Sequence, residues 1–284
     1  MCSHCSLRTI DQCLQNGPSS SYRGGAKLDL HPVINRHKFT SAGPRASNQD
    51  YVVIEDLPAI GLFASVADGV GGNNCGEIAS KAGSDTVISA LKEGVTDLTE
   101  CIKRAHGEVK ELAGTNLATK GMATTLTCVI INEMQLSGAH VGDSRIYILR
   151  RNGIRQLTND QTELAKLIRS GTITSEQAYS HPYRNVLYSA VGGTKELIIQ
   201  TFAFDLLPKD RVLLLTDGAY AAISKIGIRD CSVSHADFDE FCRSLIAFIE
   251  DAKPNDNFSV LALQIGNNQL ANLESVPGGV SDRA

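Results

Sequence analysis

The sequence predicts an α+β domain, a four-layer αββα sandwich in which two mainly antiparallel β-sheets pack face to face and helices cover them outside. Three observations carry that expectation. Strand-like and helix-like patterns arrive in blocks instead of strict alternation, which argues against a doubly wound parallel sheet. Hairpin signals join successive strands, as at Asn152-Gly153. The 284 residues are 42% hydrophobic and 20% charged, the balance of an ordinary globular chain long enough to bury a sizeable core.

Taken in order, residues 1–40 hold the Ser- and Gly-rich string GPSSSYRGGAK and little apolar periodicity, so they read as a flexible arm. One domain over 41–266 follows, and 267–284 reads as a disordered tail. DYVVI and GLFASVA, separated by a stretch containing Pro58, form a strand pair. Cys75, Ile78, Ala82, Val87 and Leu91 recur at helical spacing, and Leu98, Ile102, Ala105, Val109 and Leu112 make a cleaner stripe, giving two amphipathic helices. TTLTCVII, a turn at Asn132 and Glu133, QLSGAHVG and SRIYILRR then predict an antiparallel meander. Residues 162–193 are more polar, with TELAKLIRSG helical up to Gly171, and read as a flap-like insertion over one face. The strands ELIIQTFAF and RVLLLTD follow. Next comes a helix with Phe238, Phe241, Cys242, Leu245 and Ile249 on one side, and FSVLALQI closes the domain.

Composition removes several function classes. Lys and Arg total 27 against 31 Asp and Glu, a formal charge of -4, so the basic footprint of many nucleic-acid binders is missing. No apolar run approaches the roughly 20 residues that cross a bilayer. The start MCSHCSLRTIDQ lacks the apolar core of a secretory signal. The expectation is a cytoplasmic monomer with neither nucleic-acid nor membrane partners. Cys75, Cys101, Cys128 and Cys242 sit in or beside apolar patterns and read as buried thiols. Cys2, His4, Cys5 and Cys13 lack a second nearby pair of the kind a zinc knuckle needs, and read as part of the arm.

Five aspartates stand where apolar runs stop: Asp50, Asp68, Asp143, Asp217 and Asp256. Any one of them alone fits turn chemistry, because Asp-Gly is a turn signal and Asp tolerates left-handed backbone. Together they are harder to explain, since Asn, Ser or Gly could serve most turns. Clustered carboxylates without Cys or His are hard oxygen ligands suited to Mg²⁺ or Mn²⁺, and they would repel one another without cations between them. Other constellations are weaker. On a strand His140 and Ser144 lie about 13 Å apart, too far to act as a nucleophile and its base. His181 reads as a surface residue of the insertion, and Arg150 with Arg151 as a solvated hairpin end.

Arg45 with Asn48-Gln49-Asp50, Asp68-Gly69-Val70-Gly71-Gly72, Gly121-Met122-Ala123-Thr124-Thr125-Leu126, Val141-Gly142-Asp143-Ser144-Arg145, Leu157-Thr158-Asn159-Asp160, Asn185-Val186-Leu187, Thr216-Asp217-Gly218 and Asp256-Asn257 follow one another along the chain. This series resembles the metal-dependent protein phosphatases of type 2C, especially their compact bacterial branch, from about residue 40 to 266. The resemblance implies a two-sheet sandwich with two Mg²⁺ or Mn²⁺ ions in a cleft at one edge. Asp68 would bridge both ions, Asp217 and Asp256 would complete one site, and the Gly69 carbonyl would serve the other. Asp50 would act through ordered water, Asp143 would belong to a third site, and Arg45 would hold the substrate phosphate. It further implies direct attack on phosphoserine and phosphothreonine by a metal-bridging water or hydroxide, on proteins phosphorylated by a Ser/Thr kinase.

Four positions depart from the family pattern. Val70 stands where many eukaryotic members have a histidine able to protonate the leaving alcohol, and Gln49 replaces a glutamate. Gln161 replaces a common histidine. Ala221 lies four residues after Asp217, where the family usually has an acid, so a third ion should bind weakly. The alternative these changes leave open is a catalytically weak or inactive homologue that binds phosphoproteins in the same cleft.

Overall fold

Strands apolar on both faces need cover on both sides, and the chain supplies it. The computed structural model describes residues 32–70, 75–174, 177 and 186–266. The arm's Cys2, His4, Cys5 and Cys13, the tail, His181 and Asn185 lie outside them. In chain order the elements are β1 (Ile34–Ser41), β2 (Asp50–Leu57), β3 (Gly61–Val70), α1 (Gly76–Lys92), α2 (Leu98–Gly114), β4 (Ala123–Thr124), β5 (Leu126–Asn132) and β6 (Gln135–Val141). There follow β7 (Arg145–Arg150), β8 (Gly153–Gln156), α3 (Glu163–Arg169), β9 (Gln200–Asp205), β10 (Arg211–Leu215), α4 (Asp217–Ala222), α5 (Lys225–Ser234), α6 (Phe238–Asp251) and β11 (Phe258–Ile265).

One sheet runs β1-β11-β10-β7-β8 and the other β2-β3-β5-β6-β9, with β4 paired to β3. Every strand pair is antiparallel. The period of two sorts each strand between separate apolar layers. In β10, Val212 and Leu214 face the other sheet together with Leu62, Val66, Leu261 and Leu263. Leu213 and Leu215 turn outward to meet Phe241, Leu245 and Ile249 of α6. On the far side, Phe63, Ala67, Leu126 and Cys128 meet Val87, Leu91, Ile102 and Val109 of α1 and α2. The apolar stripes of the sequence are therefore the faces in contact. Helix starts are fixed locally: the Asp97 and Asp237 side chains accept hydrogen bonds from the Thr99 and Glu240 amides. Among the described residues no helix is long and apolar enough to cross a membrane.

Three expectations need correction. The arm does not extend to residue 40, because β1 starts at Ile34 and pairs along its whole length with β11. It is an edge strand, and its polar sequence INRHKFTS hid it. The meander breaks after β6, since β7 pairs with β10 and β8 in the opposite sheet. The chain changes sheets at Gly142, whose φ of 107° and tight seat against Thr125, 2.6 Å from where a Cβ would stand, admit only glycine. Arg150 is not a solvated hairpin end: Nε and Nη2 donate to the buried Asp210 carboxylate at 2.8 and 2.6 Å. The helices α4 and α5 carry weak periodicity and were not expected. Of the expected buried thiols, Cys101, Cys128 and Cys242 are buried and Cys75 half-buried, and all four are free.

Candidate active site

At one rim of the sandwich β2, β7 and β11 begin while β3, β6 and β10 end, and the five aspartates sit on those termini. Asp50 and Asp68 are directly opposed in the β2–β3 ladder, an arrangement that like charges make unfavourable. Asp50 also joins the two sheets. Its Oδ2 accepts hydrogen bonds from Thr216 Oγ1 at 2.8 Å and Ser259 Oγ at 2.7 Å, both in the opposite sheet's chain. The Asp68 main chain is held by Thr124 and Thr125, so the carboxylate extends from a fixed backbone.

Electrostatics show that these groups share one space. Burial first, then the charges of Asp50, Asp217, Asp143 and Asp256, lift the Asp68 carboxyl well above the usual range. Burial, with help from Asp217 and Asp256 and against the two hydroxyl hydrogen bonds, pushes Asp50 up to about 7. Burial and the charges of Asp217 and Asp160 push Asp143 up to about 7. Burial and then the charge of Asp256 raise the Asp217 carboxyl. Such a cluster binds protons where it does not bind cations.

Among the described residues no group of three or more His, Cys, Asp or Glu side chains closes on one point as an ion would require. The carboxylates instead bond to their neighbours: Asp50 to Thr216 and Ser259, and Asp256 Oδ2 to Arg45 Nη2 at 2.9 Å. The donor set still fits hard divalent cations. It is all oxygen, and Asp50 Oδ1 is buried without a hydrogen-bond partner, an arrangement that costs free energy unless something coordinates that atom. Gly69 packs so closely on Gly76 that a Cβ would stand 2.3 Å from the Gly76 carbonyl. Only glycine fits at that position.

Arg45 lies on the 42–49 connection, which Asn257 clamps. The Asn257 amide donates to the Ala42 and Ser47 carbonyls and accepts from the Gln49 amide, at 2.8–2.9 Å. Arg45, Asp143, Asp217 and Asp256 line one cleft of about 640 Å³, and Ala221 lines it with them. Beside them Arg145 binds Asp160 at 2.6 Å and stacks on the Tyr220 ring at 3.7 Å. Gln161 is buried, accepting from the Gly142 amide and donating to the Ile198 carbonyl, so it braces the corner that carries Asp143. Val70 ends β3, paired with Ala123. Sequence reasoning missed Thr216, Ser259 and Asn257 as supports. Ser259 left one signal, a lone hydroxyl inside the apolar run FSVLALQI.

The family model described as "Protein phosphatase 2C" matches residues 43–265. The chain is 31% identical over 208 residues to the serine/threonine phosphatase stp of Listeria welshimeri, covering 70% of this chain and 82% of that protein. It is 32% identical over 224 residues to the protein phosphatase PhpP of Streptococcus pneumoniae, covering 76% and 91%. The crystal structure of the serine/threonine phosphatase Stp1 from Staphylococcus aureus is similar with a TM-score of 0.78 and 27% identity, over 86% of this chain and 100% of that one. The catalytic domain of the serine threonine protein phosphatase PstP, solved in complex with two manganese ions, is similar with a TM-score of 0.71 and 25% identity, over 82% and 99%.

Proposed function

Because the chain belongs to the protein phosphatase 2C family of metal-dependent serine/threonine phosphatases, we propose that the rim cleft hydrolyses phosphoserine and phosphothreonine on proteins, with Arg45 and the five aspartates as its working residues. The observation that carries this assignment is the gathering of the five aspartates at one rim, with Asp50 facing Asp68 across the ladder and Asp143, Asp217 and Asp256 lining one cleft. Asp68, Asp217, Asp256 and the Gly69 carbonyl would hold two divalent cations, Mn²⁺ or Mg²⁺, and Asp50, whose Oδ1 is buried without a hydrogen-bond partner, would act on them through ordered water. Bound cations supply Lewis-acid activation of water and neutralise phosphoryl charge. Arg45 orients the phosphate through a planar guanidinium able to make two parallel hydrogen bonds. Asp256, its present partner, holds that guanidinium at the cleft mouth. Ala221 lines the cleft beside Asp143 and Asp217 and brings no carboxylate, so these residues would hold a third ion weakly. The partners are phosphorylated proteins made by a Ser/Thr kinase, met by a cytoplasmic monomer.

Phosphate release from a phosphothreonine peptide tests this reading. Activity should disappear with EDTA and return with Mn²⁺ or Mg²⁺. Peptide binding without turnover in saturating Mn²⁺ would give the cleft to a phosphoprotein-binding module, the reading for which Val70 and Ala221 leave room.

A further inference from the structure

We propose that the cleft carries an apolar subsite that accepts a hydrophobic side chain flanking the phosphorylated residue of the substrate. It is built from Leu164, Ala165 and Ile168 of α3 and from Ala221 and Ala222 at the end of α4, and it rests on the phosphatase reading of the same cleft.

The helix α3 is ELAKLIR, four of whose seven residues are apolar, yet none of the seven is buried. Leu164, Ala165 and Ile168 follow the i, i+1, i+4 spacing that places side chains along one side of a helix. All three are half-exposed and line the cleft that also holds Arg45, Asp217 and Asp256. Ala221 and Ala222 line it too, the first exposed and the second half-buried, and neither brings a polar side chain. The cleft thus has two chemistries: charged groups from strand termini and apolar groups from two helices.

The apolar part is held in place before any substrate arrives. Thr162 caps α3 by accepting from the Ala165 amide, and the Glu163 amide donates to the Val186 carbonyl. At the other end Arg169 donates to the Asp160 carbonyl and to the Tyr188 hydroxyl. A fixed apolar surface binds without an ordering cost at the moment of contact. Its occupant follows from continuity. A phosphorylated side chain bound at Arg45 brings its own neighbours in sequence into the same cleft, whose volume of about 640 Å³ falls within the roughly 300–1,000 Å³ typical of ligand pockets. An acidic neighbour would meet the carboxylates of Asp143 and Asp160. An apolar neighbour covers the half-exposed faces of Leu164 and Ile168.

The test uses phosphothreonine peptides that differ only in the residue immediately before or after the phosphothreonine, which is Leu, Ser or Lys, assayed on the full chain with Mn²⁺. On one side Leu should exceed Ser by about tenfold in kcat/KM, carried by KM. In Leu164→Ser/Ile168→Ser that ratio should fall to about one. Because α3 has no buried residue, the melt should stay cooperative, and the milder Ile168→Ala should lower the same ratio partway. Equal rates for Leu and Ser on both sides, a preference for Lys, or a Leu preference that survives the double substitution would overturn the subsite alone. No turnover of any peptide would overturn the phosphatase reading, and the subsite with it.

Discussion

Asp50 and Asp68 face each other across the first pair of the β2–β3 ladder, where most sequences would place an apolar or oppositely charged pair. A fold that accepts this repulsion, and buries Asp50 Oδ1 without a partner, carries a strain that a bound cation would relieve. Asp68 is the residue whose carboxyl feels all four of the others. Asp68→Asn should therefore lower kcat by more than the roughly 10- to 100-fold that follows from altering residues behind a ligand. The far-ultraviolet circular dichroism spectrum should stay unchanged, and near-normal kcat would remove Asp68 from the centre of the site. His140 supplies a separate residue-scale test. It is fully buried, and burial pushes it down to about 4. Asn159's carbonyl takes one ring N–H and the Thr127 hydroxyl serves the other nitrogen, so the folded state holds the neutral ring. The unfolded chain binds the extra proton below about 6.5. The contribution of His140 should thus fall as pH drops from about 6.5 to 4 and level off below that, by on the order of 3 kcal/mol. The raised carboxyls of Asp50 and Asp143 titrate in the same window with the opposite sign, so the slope is read as the difference between urea titrations of the native chain and of His140→Gln, which should shrink towards pH 4.

At the scale of elements, the site depends on connections more than on strands. The 42–49 loop, the Gly142–Ser144 corner and the Asn255–Asn257 turn bring Arg45, Asp143 and Asp256 to the rim, and Asn257 and Gln161 tie the connections down. The β9–β10 connection uses a buried ion pair in the same way. Asp210 accepts two hydrogen bonds from Arg150 and one from the Leu207 amide, while Arg150 also holds the Asp205 carbonyl. Removing one partner strands a buried charge. Arg150→Ala should cost about 3 to 5 kcal/mol of unfolding free energy, and the double variant Arg150→Met/Asp210→Leu should recover part of it. A loss under about 1 kcal/mol by urea denaturation would make the pair ornamental. These connections also mark where sequence reading stops. Hairpins such as β2–β3 and β5–β6 were legible because their alternation and turns are local. The move from β6 to β7 was not, since its hairpin-like spacing says nothing about which sheet a strand joins. The strand β1 escaped because an edge strand needs only one apolar face, and the Arg150 pair escaped because its partner lies sixty residues away.

For the whole molecule, three apolar layers stacked through two sheets leave a rim where strand ends from both sheets meet, and the carboxylates occupy it. The order of motifs made this rim visible in the sequence: aspartates at strand ends can converge only if the strands share an end. The sequence could not show how each carboxylate is supported. Thr216 and Ser259 reach Asp50 across the sandwich, through contacts that no local pattern encodes. The central claim is that this rim is a two-cation site bridged by Asp68. Crystals of the protein grown with Mn²⁺, measured at the manganese absorption edge, test it most directly. The account predicts two anomalous peaks about 4 Å apart, both touching Asp68, with Asp217, Asp256 and the Gly69 carbonyl completing their coordination. A rim without peaks, or manganese bound only elsewhere on the surface, would contradict it.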